Sequence, residues 1–215
     1  SSSAPGGTPY AGPVGEGEGQ LNILAWPGYA EDGSTDKDVD WVTPFEKDTG
    51  CKVNAKTAGT SDEMVTLMRT GQYDGVSASG NSSVRMIAGG DVRPIDTKVL
   101  TNWNDIDPLL KNQPYNSVDG QMYGAPHGWG ANLLQWRTDK VDPAPTSWGA
   151  VFDENSPYKG KITAYDDPIY IADAALYLMA TQPELGITDP YALDQAQFDA
   201  SIALLEQQKA LTSQY

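Results

Sequence analysis

Cysteine and histidine are almost absent from this chain of 215 residues, which has one of each, Cys51 and His127. A zinc centre needs several such ligands, so the numbers exclude one. A lone cysteine leaves no intrachain disulfide, and a chain of this length can build a core without that help. Cys51 itself reads as packed rather than reactive. A Ser–His–Asp hydrolase would have to be built on His127, yet no Gly-x-Ser-x-Gly turn precedes a helix. Neither a Walker loop nor a dinucleotide glycine fingerprint occurs. No enzyme and no cofactor are therefore expected. The acidic run Asp32 to Asp40 lacks the central Gly and terminal Glu of a calcium loop, and reads as a solvated helix start. No apolar run approaches the length of a membrane span. Basic residues are also scarce: 14 Lys and Arg stand against 29 Asp and Glu, a net charge of −15. Such a chain repels nucleic acid and anionic membrane surfaces. Acidity suits a cationic ligand, and it suits plain solubility equally.

Large apolar residues are missing from the start. Residues 1–20 are mostly Ser, Ala, Pro, Gly and Glu, a composition that cannot bury enough surface to offset its ordering entropy. They are expected to form a flexible arm. Such an arm follows the lipidated cysteine of exported lipoproteins; a cloning remnant is the alternative. Ser1 in place of an initiator Met reads as a processed start.

From Leu21 onward the pattern alternates strand and helix. Leu21 to Ala25 is a short apolar run ended by Trp26-Pro-Gly-Tyr29, and predicts a buried strand. A helix capped by Ser34 or Thr35 is expected through Val39, Val42 and Phe45, with Gly50 as its left-handed stop. Cys51 to Lys56 predicts a second strand. Ser61 opens a helix with Met64, Val65, Leu67 and Met68 inward and Gly71 at its end. Tyr73 to Ser77 predicts a third strand, followed by a polar turn to Ser83 and a short helix ending at Gly89-Gly90. Pro114 to Gly130 reads as extended chain passing between two bodies. Strands are expected at Ala131 to Trp136 and Lys161 to Tyr165. Thr146 and Ser147 cap a short helix holding Trp148, Val151 and Phe152. Asp167 and Pro168 start a helix with Ile169, Ala172, Leu176 and Met179 on one stripe. Asp189-Pro190 starts a last helix with Phe198, Ile202 and Leu205 inward, and no strand is expected after it. Alternating β and α units imply an α/β fold with a mainly parallel sheet.

Ligands of open α/β sheets bind just beyond the carboxyl ends of the strands. Aromatic and small polar residues gather at those places. Trp26 and Tyr29 follow the first strand. Ser77, Ser79, Asn81 and Ser82 follow the third. His127 and Trp129 lie on the crossing segment, and Asp166, Asp167 and Tyr170 follow a later strand. Aromatic faces with carboxylates suit an organic cation. Asp166 and Asp167 equally suit capping of the helix that follows, and both readings stand.

Four stretches carry a family resemblance: Leu21-Asn-Ile-Leu-Ala-Trp-Pro-Gly-Tyr29, Tyr73-Asp-Gly-Val-Ser-Ala-Ser79, Tyr123-Gly-Ala-Pro-His-Gly-Trp-Gly130, and Ser147-Trp148 with Tyr158-Lys-Gly-Lys-Ile-Thr-Ala-Tyr-Asp-Asp167. From Leu21 to Tyr215 the chain resembles the first part of a bacterial extracellular solute-binding protein of an ABC importer, of the spermidine/putrescine-binding type. The resemblance implies a two-lobe periplasmic-binding-protein-like α/β fold, with ligand clamped by hinge closure and passed to a membrane permease. It implies a monomer, no catalysis, and an extracytoplasmic place in the periplasm or at the cell surface. On this reading 21–127 is the first part of lobe 1 and 128–215 the first part of lobe 2, both incomplete because family members continue further. The implied contacts are Trp26, Tyr29, Trp129 and Tyr170 as aromatic walls, Asp166 or Asp167 pairing an amine, and Ser79, Asn81 and His127 as hydrogen-bonding groups. The chain departs from the pattern in two places. Asn81 and Ser82 stand where the polyamine binders place tyrosines. Tyr170 stands where they place an acid just inside the helix after Asp-Asp. A polyamine, a smaller or modified amine, and another polar solute such as a sugar, opine or phosphonate-type compound all remain open.

Overall fold

A computed structural model describes residues 17–215, so most of the expected arm lies outside the described residues; Gln20 already belongs to the first strand. The chain divides into two compact units between Trp129 and Gly130.

The first unit is built on a three-stranded parallel sheet ordered β2-β1-β3, with β1 at Gln20–Ala25, β2 at Lys52–Thr57 and β3 at Gly75–Val76. β1 pairs with β2 from Gln20↔Lys52 to Ala25↔Thr57, and with β3 at Ile23↔Gly75 and Leu24↔Val76. β3 is shorter than expected, but Asp74 N donates to Asn22 O and Ser77 N to Leu24 O, both at 2.8 Å, so the ladder spans most of the expected strand. Leu24, Val65, Met68 and Met86 form the buried core, with Leu67, Tyr73, Val76 and Ala78 packed around it. This core anchors the tips of β1 and β3.

The helices of this unit show where local chemistry won. α1 runs Val42–Thr49, not from Ser34 or Thr35, and ends at Gly50 in the left-handed conformation with φ 72°. Pro44 explains the late start. In the interior of a longer helix its ring would meet the carbonyl of Asp40, whereas in the first turn it costs little. The Asp40 carboxylate accepts from Thr43 N at 2.9 Å instead. Val39 and Phe45 are exposed rather than inward. α2 occupies Ser61–Met68, with Thr60 Oγ1 accepting from Glu63 N, and buries Met64, Val65 and Met68 as expected. α3 covers Gly80–Gly89 and so takes in the residues expected as a polar turn. The Ser79 carbonyl accepts from both Ser82 N and Ser83 N at 3.0 Å, which winds that turn into helix.

Within 114–130 the structure differs again: β4 at Ser117–Val118 and β5 at Gln121–Met122 form an antiparallel hairpin. Asp119 and Gly120 connect them with φ 50° and 77°, the backbone that an Asp-Gly type I′ turn requires.

The second unit packs three helices against a two-stranded parallel sheet. These are α4 at Gly149–Phe152, β6 at Ile162–Thr163, α5 at Tyr170–Thr181, α6 at Gln195–Lys209 and β7 at Thr212–Gln214. The β6–β7 pairing overturns the expectation of no final strand. The expected strand 131–136 is absent. Leu133 and Trp136 there are exposed, and no strand partners it among the described residues, so its apolar pattern has no ladder to join. α6 begins later than Asp189-Pro190. Asp189 only closes a turn onto Tyr191 N, while Asp194 and Gln197 form a reciprocal capping box, which satisfies two helix-start donors at once. The α6 face that turns inward carries Ser201, Leu204, Leu205 and Gln208, and Phe198 is exposed. On α5 the buried residues are Tyr170, Ala172, Ala174, Ala175 and Leu178, so of the expected stripe Ala172 is buried and Leu176 is exposed. This helix is apolar nearly all round, so period alone could not choose its face. The choice falls to Phe152, whose ring lies 5.8 Å from that of Tyr170 and 5.1 Å from that of Tyr177.

Among the described residues no helix is long and apolar enough to cross a membrane, and no group of three or more His, Cys, Asp or Glu is placed to hold a metal ion.

Candidate functional site

Because β1, β2 and β3 run parallel, their carboxyl ends share one edge, and the residues after them form a common rim. Trp26 leaves β1 half-buried. Pro27 and Gly28, the latter at φ 87°, turn the chain so that Tyr29 N donates to Trp26 O at 3.1 Å. That turn sets the exposed Tyr29 ring against the imidazole of His127, stacked with centroids 4.5 Å apart and planes within 13°. Two residues separated by almost a hundred positions thus meet, and one face of each is taken by the other.

On the neighbouring strand, Ser79 stands at the start of α3 without capping it through its side chain. Ser82 is fully buried, and its hydroxyl has no hydrogen-bond partner; both amide atoms of Asn81 are likewise buried and unpartnered. Buried polar atoms of this kind carry unspent hydrogen-bonding capacity, which a ligand can use. Gly80 lies against Tyr115, where an added Cβ would come within 3.1 Å of the ring. Tyr115, half-exposed at this rim, was not among the expected site residues. Nothing in its local sequence marks it, because its place depends on the hairpin that follows. Trp129 is 82% exposed at the end of this unit.

In the second unit the expected residues separate by role. The Asp167 carboxylate accepts from Ile169 N at 2.9 Å and its carbonyl accepts from Tyr170 N at 3.0 Å. These bonds close a turn that leads into α5, whose N-cap is Ile169 without a side-chain cap, so Asp167 stands before the cap position expected of it. Asp166 is exposed. Tyr170 does not form a surface wall; only 6% exposed, it packs in the aromatic core, and its hydroxyl accepts from Gln208 Nε2 at 2.8 Å. Burial pushes its hydroxyl above the ordinary tyrosine range.

The ring left outside is Tyr165, 39% exposed and tilted against Tyr170 at 4.8 Å. Its hydroxyl donates to Asp173 Oδ2, and Asn132 Nδ2 donates to Asp173 Oδ1 at 3.1 Å and Oδ2 at 3.0 Å. Burial first, and then the Asp173 carboxylate, hold the Tyr165 proton well above its usual range. Asp173 sits in the first turn of α5. Its position three residues after Tyr170 was legible as one helix face; its meeting with Asn132, 41 residues away, was not. A shallow concavity lined by Pro145, Ser147, Asp153, Tyr158 and Gln207 holds none of these residues, and offers no cluster of unspent polar groups to favour it over them.

The chain is similar to known proteins throughout most of its length. The family described as bacterial extracellular solute-binding protein matches residues 40–214. The spermidine/putrescine-binding periplasmic protein of Escherichia coli is 31% identical over 156 residues, covering 71% of this chain and 43% of the relative. The putrescine-binding periplasmic protein SpuD of Pseudomonas aeruginosa is 26% identical, covering 76% and 46%. Among solved structures, a putative spermidine/putrescine ABC transporter protein from Listeria monocytogenes superposes with a TM-score of 0.67 at 21% identity, over 92% of this chain and 56% of that one. The chain spans about half the length of the relatives it matches.

Proposed function

The chain belongs to the bacterial extracellular solute-binding proteins, and on that premise we propose that it serves as the substrate-binding component of an ABC importer for a small cationic amine of the spermidine or putrescine class. The observation that carries the reading is the aromatic rim after β1, half-buried Trp26 beside the Tyr29–His127 stack, in a chain whose similar proteins bear polyamine names. Ring faces attract ammonium groups and cover the methylene stem between them. The net charge of −15 speeds the arrival of a cation.

In this reading Trp26, Tyr29 and Trp129 offer aromatic faces, Ser79, Asn81 and His127 offer hydrogen bonds, and the acids Asp166 and Asp167 add negative potential. The protein works outside the cytoplasm, as a monomer, and hands its ligand to a membrane permease. Titration calorimetry of the full-length protein with putrescine and spermidine tests this. Binding is expected, and Trp26→Ala weakens it by more than about 1 kcal/mol, the scale of a partly desolvated cation–π contact. Unchanged affinity in that variant, or no amine binding by the wild type, refutes the reading.

One observation favours a second reading. The buried, unpartnered amide of Asn81 and hydroxyl of Ser82 suit a ligand rich in hydroxyl or oxyanion groups, such as a sugar, opine or phosphonate-type compound. Competition separates the two, since an amine site ignores neutral sugars.

A further inference from the structure

We propose that Asp173, together with the outward ring of Tyr165, is the group of the second unit that pairs an ammonium of the ligand. The proposal rests on the amine reading above and assigns an anionic contact to Asp173, in the first turn of α5.

The carboxylate of Asp173 is held by two neutral donors, Asn132 Nδ2 on both oxygens and the Tyr165 hydroxyl on Oδ2. Neutral donors orient a carboxylate without cancelling its charge. None of the ion pairs among the described residues involves Asp173; they join Lys52–Glu46, Arg69–Asp91, Arg85–Asp62, and Asp139 with Arg137 and Lys140. A negative charge is thus fixed in place and left without a counter-cation. The half-buried Asp173 adjoins the partly exposed ring of Tyr165. An ammonium reaching the carboxylate therefore gains a charge-assisted hydrogen bond and an aromatic neighbour together.

The cluster is also rigid from below. Tyr165 leans on Tyr170, which Phe152 and Gln208 hold in the core. Groups already ordered cost little entropy when a ligand arrives. The two acids that drew attention in the sequence are less suited. The carboxylate of Asp167 is engaged by Ile169 N, and Asp166 is exposed, where water screens it.

Calorimetry with spermidine on the full-length protein decides the matter. Asp173→Asn keeps an acceptor for Tyr165 and nearly the same volume. It is expected to raise the Kd at least tenfold, about 1.4 kcal/mol, whereas Asp139→Asn, which removes an exposed acid paired with Arg137 and Lys140, changes it less than threefold. A second measurement needs no variant. Carbodiimide coupling of glycinamide to Asp173, read by mass spectrometry, is expected to slow at least fivefold in saturating spermidine. Wild-type binding with unchanged affinity in a folded Asp173→Asn variant, or unprotected coupling under saturation, overturns the proposal and leaves the amine reading intact. Absence of amine binding by the wild type overturns both.

Discussion

Phe152→Ala is expected to destabilise the second unit by about 4 kcal/mol. The side chain is 1% exposed, so truncation removes nearly its whole contribution from burial, roughly 1.5–3 kcal/mol for a large apolar side chain. Its ring also meets Tyr177 at 5.1 Å, Tyr170 at 5.8 Å and Trp148 at 6.4 Å. Each such pair adds roughly 0.5–1.5 kcal/mol beyond area. Partial collapse of the neighbours into the gap returns some of this, which leaves a value inside the roughly 3–5 kcal/mol range for Phe→Ala in well-packed cores. Urea unfolding followed by far-UV circular dichroism and tryptophan fluorescence measures it, with Trp148 as a reporter in the same cluster. Because Phe152 supports Tyr170 and Tyr170 supports Tyr165, spermidine affinity is expected to fall as well. A loss below about 1 kcal/mol with unchanged slope would refute the claim that this unit is organised around Phe152.

Two further predictions concern single contacts. Asp194→Ala removes the cap of α6 and half of its reciprocal box with Gln197; a loss of about 1 kcal/mol is expected from the urea midpoint, and no shift would mean the helix start is held elsewhere. Burial and the hydrogen bond to Asp153 raise the Tyr177 hydroxyl from 10.0 to about 12. Between those values the folded protein keeps a proton that the unfolded chain has lost. Its stabilising effect is therefore complete below pH 10 and is lost as pH rises toward 12. Melting temperatures of wild type and Tyr177→Phe across that window should show a shallower alkaline decline in the variant, and identical slopes would disprove the assignment.

Much of the first unit was legible in advance because its signals are local. The run Leu21 to Ala25 with its Trp-Pro-Gly-Tyr stop, the inward face of Met64, Val65 and Met68, and the glycines at 50 and 90 each act within a few residues. Where the expectation slipped, a nearby residue usually overruled the pattern. Pro44 delayed α1, the Ser79 carbonyl extended α3 backward, and the Asp194–Gln197 box outcompeted Asp189-Pro190. Asp119-Gly120 was a readable hairpin turn whose signal was masked by the Tyr, Gly and Pro around it.

The sequence by itself determined the α/β alternation, the strand-tip placement of Trp26, Tyr29, Ser79 and Asn81, and the family resemblance, because these depend on short-range periodicity, turn chemistry and contiguous motifs. Tertiary structure alone decided which aromatic of the pair Tyr165 and Tyr170 goes inside, that β7 returns to β6, that His127 stacks on Tyr29, and that Asn132 meets Asp173. Each of those outcomes joins segments far apart in the chain, or selects one face of a helix that is apolar on several. In the second unit the energy that settles them comes from packing against Phe152 and its neighbours, and in the first from the ring contact of Tyr29 with His127; no local window contains either.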